Sequence, residues 1–306
     1  MREKLLIICG PTASGKSSLA IECAKILDTE IISADSMNVY KNLDIGTAKP
    51  TATEKQGIKH HLIDVVEPTN NFSVGDYRDF ALPIVNNLLN KGKVPIICGG
   101  TGFYINSILY NYSYGNVQAD LKIREKYNLL AKERGNEFVF EILKQKDYES
   151  AKKLHPNDLK RVIRALEIAE NGIKKSELND SMKPNYDYNA YMIDYDSKIL
   201  YEKINSRVDT MVKQGLFEEV TSLYNLGITS DYQCMQGIGY KEVIEFIKGN
   251  LSREQTIDLI KLNTRHYAKR QRTFFKKLNN LIYLHPDDVH ELAKRITNNY
   301  ERWINN

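Results

Sequence analysis

The sequence predicts an α/β protein in which a parallel sheet flanked by helices is interrupted by an all-helical insertion. Short, uniformly apolar runs alternate with helical patterns over the first 110 residues, which is the pattern of buried parallel strands and their crossover helices. A glycine-rich loop joins the first apolar run to the first helix. Between residues 112 and 189 the chain turns charged and helical before a strand-like run resumes.

Taken in order, "KLLIIC" is a buried strand, and Leu19, Ala20, Cys23, Ala24 and Leu27 recur at helical spacing after it. "EIISA", "HHLIDVV" and "VPIIC" read as further strands, with "SVGDYRDFALPIVNNLLNKG" and "GFYINSILY" as helices. "LKIREKYNLLAKERG", "EFVFEILKQKD" and "DLKRVIRALEIAENG" are the helices of the insertion, the last of them capped by Asn157 or Asp158. "AYMIDYD" resumes the sheet. Four helices follow: "SKILYEKINSRVDTMVKQG", "LFEEVTSLYNLG", "YKEVIEFIKG" and "REQTIDLIKLNTRHYAKRQRTFFKKL". The strand "LIYLHP" and a terminal helix close the chain. The expected division is 1–111 with 190–306 as the core and 112–189 as the insertion.

Hydrophobic residues make up 42% and charged residues 27%, which is ordinary for a soluble globular protein. The apolar run near the start ends within "KLLIIC", too short for a signal-peptide core, and no run reaches the length of a membrane span. A cytoplasmic protein is expected. Cys9, Cys23, Cys98 and Cys234 show no metal-like or disulfide spacing. A net charge of +4 leans weakly toward an acidic partner, so the placement of the charge matters more than its total.

"GPTASGKSS" carries the first chemistry. Gly10, four residues, then Gly15, Lys16 and Ser17 between a strand and a helix is a P-loop, so the core is P-loop NTPase-like. Backbone N–H groups of such a loop and the helix N-terminus cradle phosphates, Lys16 adds charge, and the Ser17 hydroxyl can hold Mg²⁺. The spacing leaves open whether a nucleotide or another diphosphate is held. Asp35, in "SADSMNVY", follows a strand at the sheet's ligand edge and can bind metal, accept a proton or cap a turn. In "GGTGFY", Gly99, Gly100 and Gly102 let backbone approach a ligand or simply form a tight turn around Thr101.

In "TRHYAKRQRTFFKK", Arg265, Lys269, Arg272 and Lys276 share one helix face, and Tyr267, Phe274 and Leu278 another. No acid intervenes between Arg265 and Lys277, so the cationic face is read as meeting an anionic partner. Lys160, Arg161 and Arg164 form a second basic patch, and two separated basic helices suit an extended polyanion.

"GPTASGKS", "DSMNVY", "DIGTAKP", "HHLID", "GGTGFY", "NDLKRVIRALE", "RVDTMVKQGLFEEV", "GIGYKE" and "TRHYAKRQ" occur in that order, and in this the chain resembles the bacterial tRNA dimethylallyltransferases. The resemblance implies transfer of a dimethylallyl group from dimethylallyl diphosphate to N6 of the adenosine just 3′ of the anticodon, in tRNAs reading codons that begin with U. It implies Mg²⁺ as cofactor. It also implies an insertion that grips the anticodon stem-loop. Carried onto this chain, it gives Gly10, Thr12, Ala13, Ser14, Gly15, Lys16, Ser17 and Arg207 to the diphosphate, and Asp35, Thr101 and Lys16 to catalysis, with Asp35 as general base. Ser36, Met37, Asn38, Arg124, Lys160, Arg161, Arg164, Gln236, Gly239, Tyr240, Lys241, Lys269, Arg270, Gln271, Arg272 and Lys276 join Asp35 and Thr101 as implied tRNA contacts. Asn38 stands where glutamine is usual, Phe103 where leucine is, and Phe274 where tryptophan is common. A monomer without membrane contact is expected. The rival is a small-molecule or nucleotide kinase, which leaves the basic stripe without a task.

Overall fold

The computed structural model describes residues 3–110, 120–178 and 183–305. It divides into two compact units, Met1–Leu109 with Asn185–Asn306, and Tyr110–Pro184.

In the first unit, β1 (Lys4–Cys9) leads through the glycine-rich loop into α1 (Lys16–Ile26), and β2 (Ile31–Ser33) follows. The short α2 (Ala52–Lys55) precedes β3 (His60–His61), and α3 (Val74–Asn90) leads to β4 (Ile96–Gly99) and α4 (Gly102–Leu109). The sheet order is β3-β2-β4-β1, continued by β5 (Asp187–Ile193) and β6 (Leu281–Leu284), and all neighbours are parallel. The C-terminal ends of β1, β2, β4 and β5 therefore open on one edge, the place where such sheets bind ligands.

β1 is apolar on both faces because both are covered. Leu6, Ile8, Ile31, Ile96 and Tyr191 of the sheet pack with Leu19, Ala20 and Cys23 of α1 and with Leu292 and Ile296 of α13 (Val289–Asn305). Tyr77 of α3 stacks on Tyr104 of α4 with ring centroids 3.9 Å apart and planes at 11°.

β5 begins at Asp187, ahead of the run expected from Ala190, because Asp187, Tyr188 and Asn189 pair in register with Lys4, Leu5 and Leu6. The unit boundary accordingly falls at Pro184 rather than 189, and at Tyr110 rather than 112. The "HHLIDVV" run is strand only at His60–His61. Leu62 and Asp64 adopt left-handed backbone (φ 61 and 57), which ends the strand. Lys49 then ties the resulting loop down, its ammonium donating to Tyr40 O (2.8 Å) and pairing with Asp44 (2.6 Å) and Asp64.

The remaining helices of this unit are α9 (Ser197–Gln214), α10 (Leu216–Asn225), α11 (Tyr240–Ile247) and α12 (Arg253–Phe275). A capping box between Ser252 and Gln255 starts α12.

The second unit contains α5 (Leu121–Arg134), α6 (Asn136–Lys146), α7 (Tyr148–Ala151) and α8 (Leu159–Glu170) around Tyr127, Val139, Phe140, Leu143, Val162, Ile163 and Leu166. Asp158 takes the N-cap position of α8, but its side chain makes no capping bond there and pairs with Arg161 at 3.2 Å instead. Among the described residues no helix is long and apolar enough to cross a membrane.

Candidate active site

A cavity of about 440 Å³ opens at the ligand edge of the sheet in the first unit. One end is the glycine-rich loop. Gly10 (φ 136), Ala13 (φ 62) and Gly15 (φ 81) bend the loop back on itself, and α1 starts directly after Gly15. Thr12, Lys16 and Ser17 line the cavity, and the Lys16 ammonium donates to Pro11 O at 3.2 Å. Ser14 is buried with its hydroxyl unpartnered, a polar group held inside the loop.

Arg207, from α9, lines the same end and donates to Thr12 Oγ1 at 3.4 Å. Burial, and then the neighbouring Arg207 charge, push the Lys16 pKa below that of an ordinary lysine. Burial lowers the Arg207 pKa too, against the pull of Asp35. Two cations crowded in a half-enclosed space are costly without an anion, and a diphosphate between them would remove the repulsion.

Asp35 also lines the cavity. Its Oδ1 accepts from the N–H groups of Met37 (2.9 Å) and Asn38 (3.4 Å). The turn-capping function and the cavity-facing one thus coexist in one residue. Ser36, Met37 and Asn38 line the wall beside it, and Asn38 Oδ1 is buried without a hydrogen-bond partner. Thr101 stands behind this wall: its Oγ1 accepts from Ser36 N at 3.0 Å and lies 3.4 Å from Ser36 Oγ.

One flank of the cavity is apolar. Ile204, Val208 and Met211 of α9 share the face that carries Arg207, and Ile260 of α12 lies among the lining residues with them. Tyr267 of α12 joins them. Burial first, and then the Asp35 charge, raise its hydroxyl to about 12, so it stays protonated and neutral. Tyr267 was expected on a packing stripe, and only its hydroxyl sets it apart from one. Gln236, Gly239 and Lys241 line the cavity from the segment leading into α11.

Several expectations are corrected. Gly99 and Gly102 are required by internal packing, not by a ligand: a Cβ on Gly99 would lie 2.1 Å from Ala34 O, and one on Gly102 would lie 2.1 Å from the Phe274 ring. Gln271 is 5% exposed and acts as a strut, accepting from Thr12 N (2.9 Å) and donating to Gly100 O (2.9 Å), so both ends of its amide are engaged. Tyr240 is fully buried and cannot touch an external ligand; its hydroxyl donates to Glu219 at 2.6 Å.

The basic face of α12 is partly neutralised from outside the helix. Arg272 pairs with Asp194 (2.8 Å) and donates to Ser197 (3.0 Å), and Arg265 donates to Asn205 (2.8 Å). Lys269, Arg270 and Lys276 remain exposed. In the helical unit, Arg124 and Arg164 both bind Glu167, which is fully buried, while Lys160 and Arg161 are exposed.

Glu219 of α10 was not anticipated. Its carboxylate accepts from the N–H groups of Asp44 (2.9 Å), Ile45 (2.8 Å) and Gly46 (3.1 Å), fixing the loop whose Gly46, Thr47 and Ala48 line the cavity. Its partners are backbone groups distant in sequence, which leave no motif.

Among the described residues no cluster of three or more His, Cys, Asp or Glu side chains could hold a metal by itself. At the loop end of the cavity the Ser17 hydroxyl is a hard oxygen donor, and Asp35 is the only carboxylate among the lining residues. That set suits Mg²⁺ carried on a diphosphate, which takes few protein ligands, and does not suit a cation caged by protein alone.

Comparison with known proteins accords with this geometry. A family model described as "IPP transferase" matches residues 38–278. A tRNA dimethylallyltransferase of Thermoanaerobacter sp. (strain X514) is 47% identical over 305 residues, covering 97% of this chain and 97% of that protein. One of Acetivibrio thermocellus is 44% identical over 300 residues, covering 97% and 96%. Among solved structures, the chain is similar to a tRNA delta(2)-isopentenylpyrophosphate transferase of Staphylococcus epidermidis, with a TM-score of 0.73 at 40% identity over 98% of this chain and 99% of that one. It is similar also to a eukaryotic dimethylallyltransferase described as acting on tRNA, with a TM-score of 0.78 at 28% identity over 99% and 78%. A glycine-rich loop opening into a cavity with one apolar flank and near full-length similarity to these proteins lead to one conclusion: the chain belongs to the IPP transferase family.

Proposed function

We propose that the chain transfers a dimethylallyl group from dimethylallyl diphosphate to N6 of adenosine 37 in the anticodon stem-loop of tRNAs reading codons that begin with U. The products are N6-isopentenyladenosine and diphosphate. The observation that carries this reading is the two-sided character of one cavity, cationic around Thr12, Lys16 and Arg207 and apolar along Ile204, Val208 and Met211. An allylic diphosphate has that same polarity. A kinase would need a polar bed for a nucleoside on the α9 side, and the family membership also speaks against that alternative.

In the reaction, the exocyclic amine attacks the first carbon of the allyl group as its bond to the diphosphate oxygen breaks. Negative charge then gathers on the leaving group, beside Lys16, Arg207 and the loop N–H groups. Mg²⁺, bound to the diphosphate and the Ser17 hydroxyl, would supply further charge neutralisation there. Asp35 takes the amine proton through the carboxylate oxygen that the turn does not occupy. Asn38 Oδ1, buried without a partner, accepts a hydrogen bond from the incoming base. The adenine must leave its stack to arrive, which an unpaired loop permits. Lys160, Arg161, Lys269, Arg270 and Lys276 are the exposed cations assigned to RNA phosphates. The four cysteines are free thiols, as suits a protein that works in the cytoplasm, and we assign it to act there as a monomer.

The test is nucleoside mass analysis of an unmodified anticodon stem-loop incubated with the protein, Mg²⁺ and dimethylallyl diphosphate, with ATP in a parallel reaction. Gain of one dimethylallyl group on a single adenosine, without ATP, is the expected result. ATP consumption with no prenyl gain would overturn the assignment.

A further inference from the structure

Tyr267, Arg270 and Gln271 of α12 line the cavity, and steps of three and four carry that face on to Phe274. Phe274 is fixed in place. Its ring lies against the bare Cα of Gly102, where a Cβ would come within 2.1 Å, and it meets the buried Phe275 edge-on at 5.7 Å. Against this fixed ring stands Phe103, in the first turn of α4 and two residues past Thr101, with centroids 5.2 Å apart and planes at 62°. Phe103 is nevertheless 62% exposed.

An aromatic ring ordered by its neighbour yet open to solvent loses little conformational entropy when something covers it. The charge around it selects the occupant. Arg270, four residues before Phe274 and on the same face of α12, is exposed and lines the cavity. An aromatic face with an exposed guanidinium on the same side of the helix suits an unpaired nucleobase whose flanking phosphate reaches that cation.

We propose that Phe103, braced by Phe274, is a stacking platform for an unpaired nucleobase of the RNA acceptor next to the base that enters the cavity. This rests on the RNA-prenylating reading above and adds a binding subsite to it. Stacking on the platform holds the loop open at the cavity rim, so Phe103 contributes to acceptor affinity and not to diphosphate binding.

The experiment uses the full chain and an anticodon stem-loop carrying 2-aminopurine in turn at the unpaired positions flanking the target adenosine. Phe103→Tyr keeps the aromatic face; Phe103→Leu keeps apolar bulk and removes it. Stem-loop affinity is expected to fall roughly ten-fold in Phe103→Leu and to stay within about two-fold of wild type in Phe103→Tyr. One flanking 2-aminopurine should be quenched on binding to wild type and Phe103→Tyr, and not on binding to Phe103→Leu. The KM for dimethylallyl diphosphate should be the same in all three proteins. Equal affinity and equal quenching in Phe103→Leu, with wild type prenylating the stem-loop, would overturn the platform alone. Failure of wild type to prenylate any stem-loop would overturn both the platform and the reading beneath it.

Discussion

Asp35 combines two tasks, and a single substitution separates them. Its Oδ1 caps the turn through Met37 N and Asn38 N, and an asparagine keeps an oxygen for that purpose while losing the charge that takes a proton. Asp35→Asn should therefore lower turnover by roughly 10²-fold or more with stem-loop affinity retained; near-normal turnover in a single-turnover assay would remove Asp35 from proton transfer. Lys16 makes a different kind of prediction. Its pKa is lowered by burial and by Arg207, so at alkaline pH the free protein binds fewer protons than an ordinary lysine would. A bound diphosphate restores the proton, so binding should take up protons in that window and weaken as the pH rises through it. Titration calorimetry in buffers of different ionisation enthalpy reads this directly, and Lys16→Met should lose the uptake. Identical uptake in the variant would assign it to the ligand's own oxygens.

At the scale of elements, α12 does three things that its sequence only partly announces. Its basic residues divide by what they meet: Arg272 is held by Asp194 and Arg265 by Asn205, while Lys269 and Lys276 reach solvent. Lys269→Ala with Lys276→Ala should thus weaken RNA binding and reduce its logarithmic salt slope by roughly 1.5 to 2. Arg272→Ala should change the slope less, because its charge is already paired within the protein. A double variant whose slope matches wild type would make the two lysines ordinary solvated side chains. The glycine-rich loop, the six strands and the basic helix were legible because they rest on local spacing and periodicity. The partners of Arg272, the strut made by Gln271 between Thr12 N and Gly100 O, and the hold of Glu219 on residues 44–46 were not. Each joins segments far apart in the chain through groups that carry no pattern of their own. The glycines of "GGTGFY" were visible as a requirement, but whether ligand or neighbour imposed it depends on Ala34 and Phe274, which the motif does not contain.

For the whole molecule, the contrast is between a first unit organised around a ligand edge and a second built on a buried charge. In the unit Tyr110–Pro184, Glu167 has no exposed surface and accepts from Arg124 Nε (2.9 Å) and Nη2 (3.0 Å), from Arg164, and from Asp120 N (2.6 Å). Burial opposes its ionisation, and the bonds from the two arginines and from Asp120 N more than offset that, holding the carboxyl below the usual range. Such a group contributes stability above the ordinary carboxylate pKa, and the contribution is lost as pH falls through the lowered folded value. Removing it takes a shared partner from two arginines whose side chains are 40% and 28% exposed and leaves Asp120 N without its acceptor, a change worth about 1.5–3 kcal/mol. Because the units have separate cores, the loss should stay local. Hydrogen exchange on the full chain of Glu167→Leu should show lost protection across α5, α6 and α8, with β1, β4 and α1 protected as in wild type. The acid-induced loosening of that unit should also be shallower in the variant, whose Glu167 no longer has a proton to gain. Stem-loop affinity should fall while the KM for dimethylallyl diphosphate holds, because the diphosphate is assigned to Lys16 and Arg207 in the other unit. Equal loss of protection in β1 and α1 would show instead that the two units unfold as one.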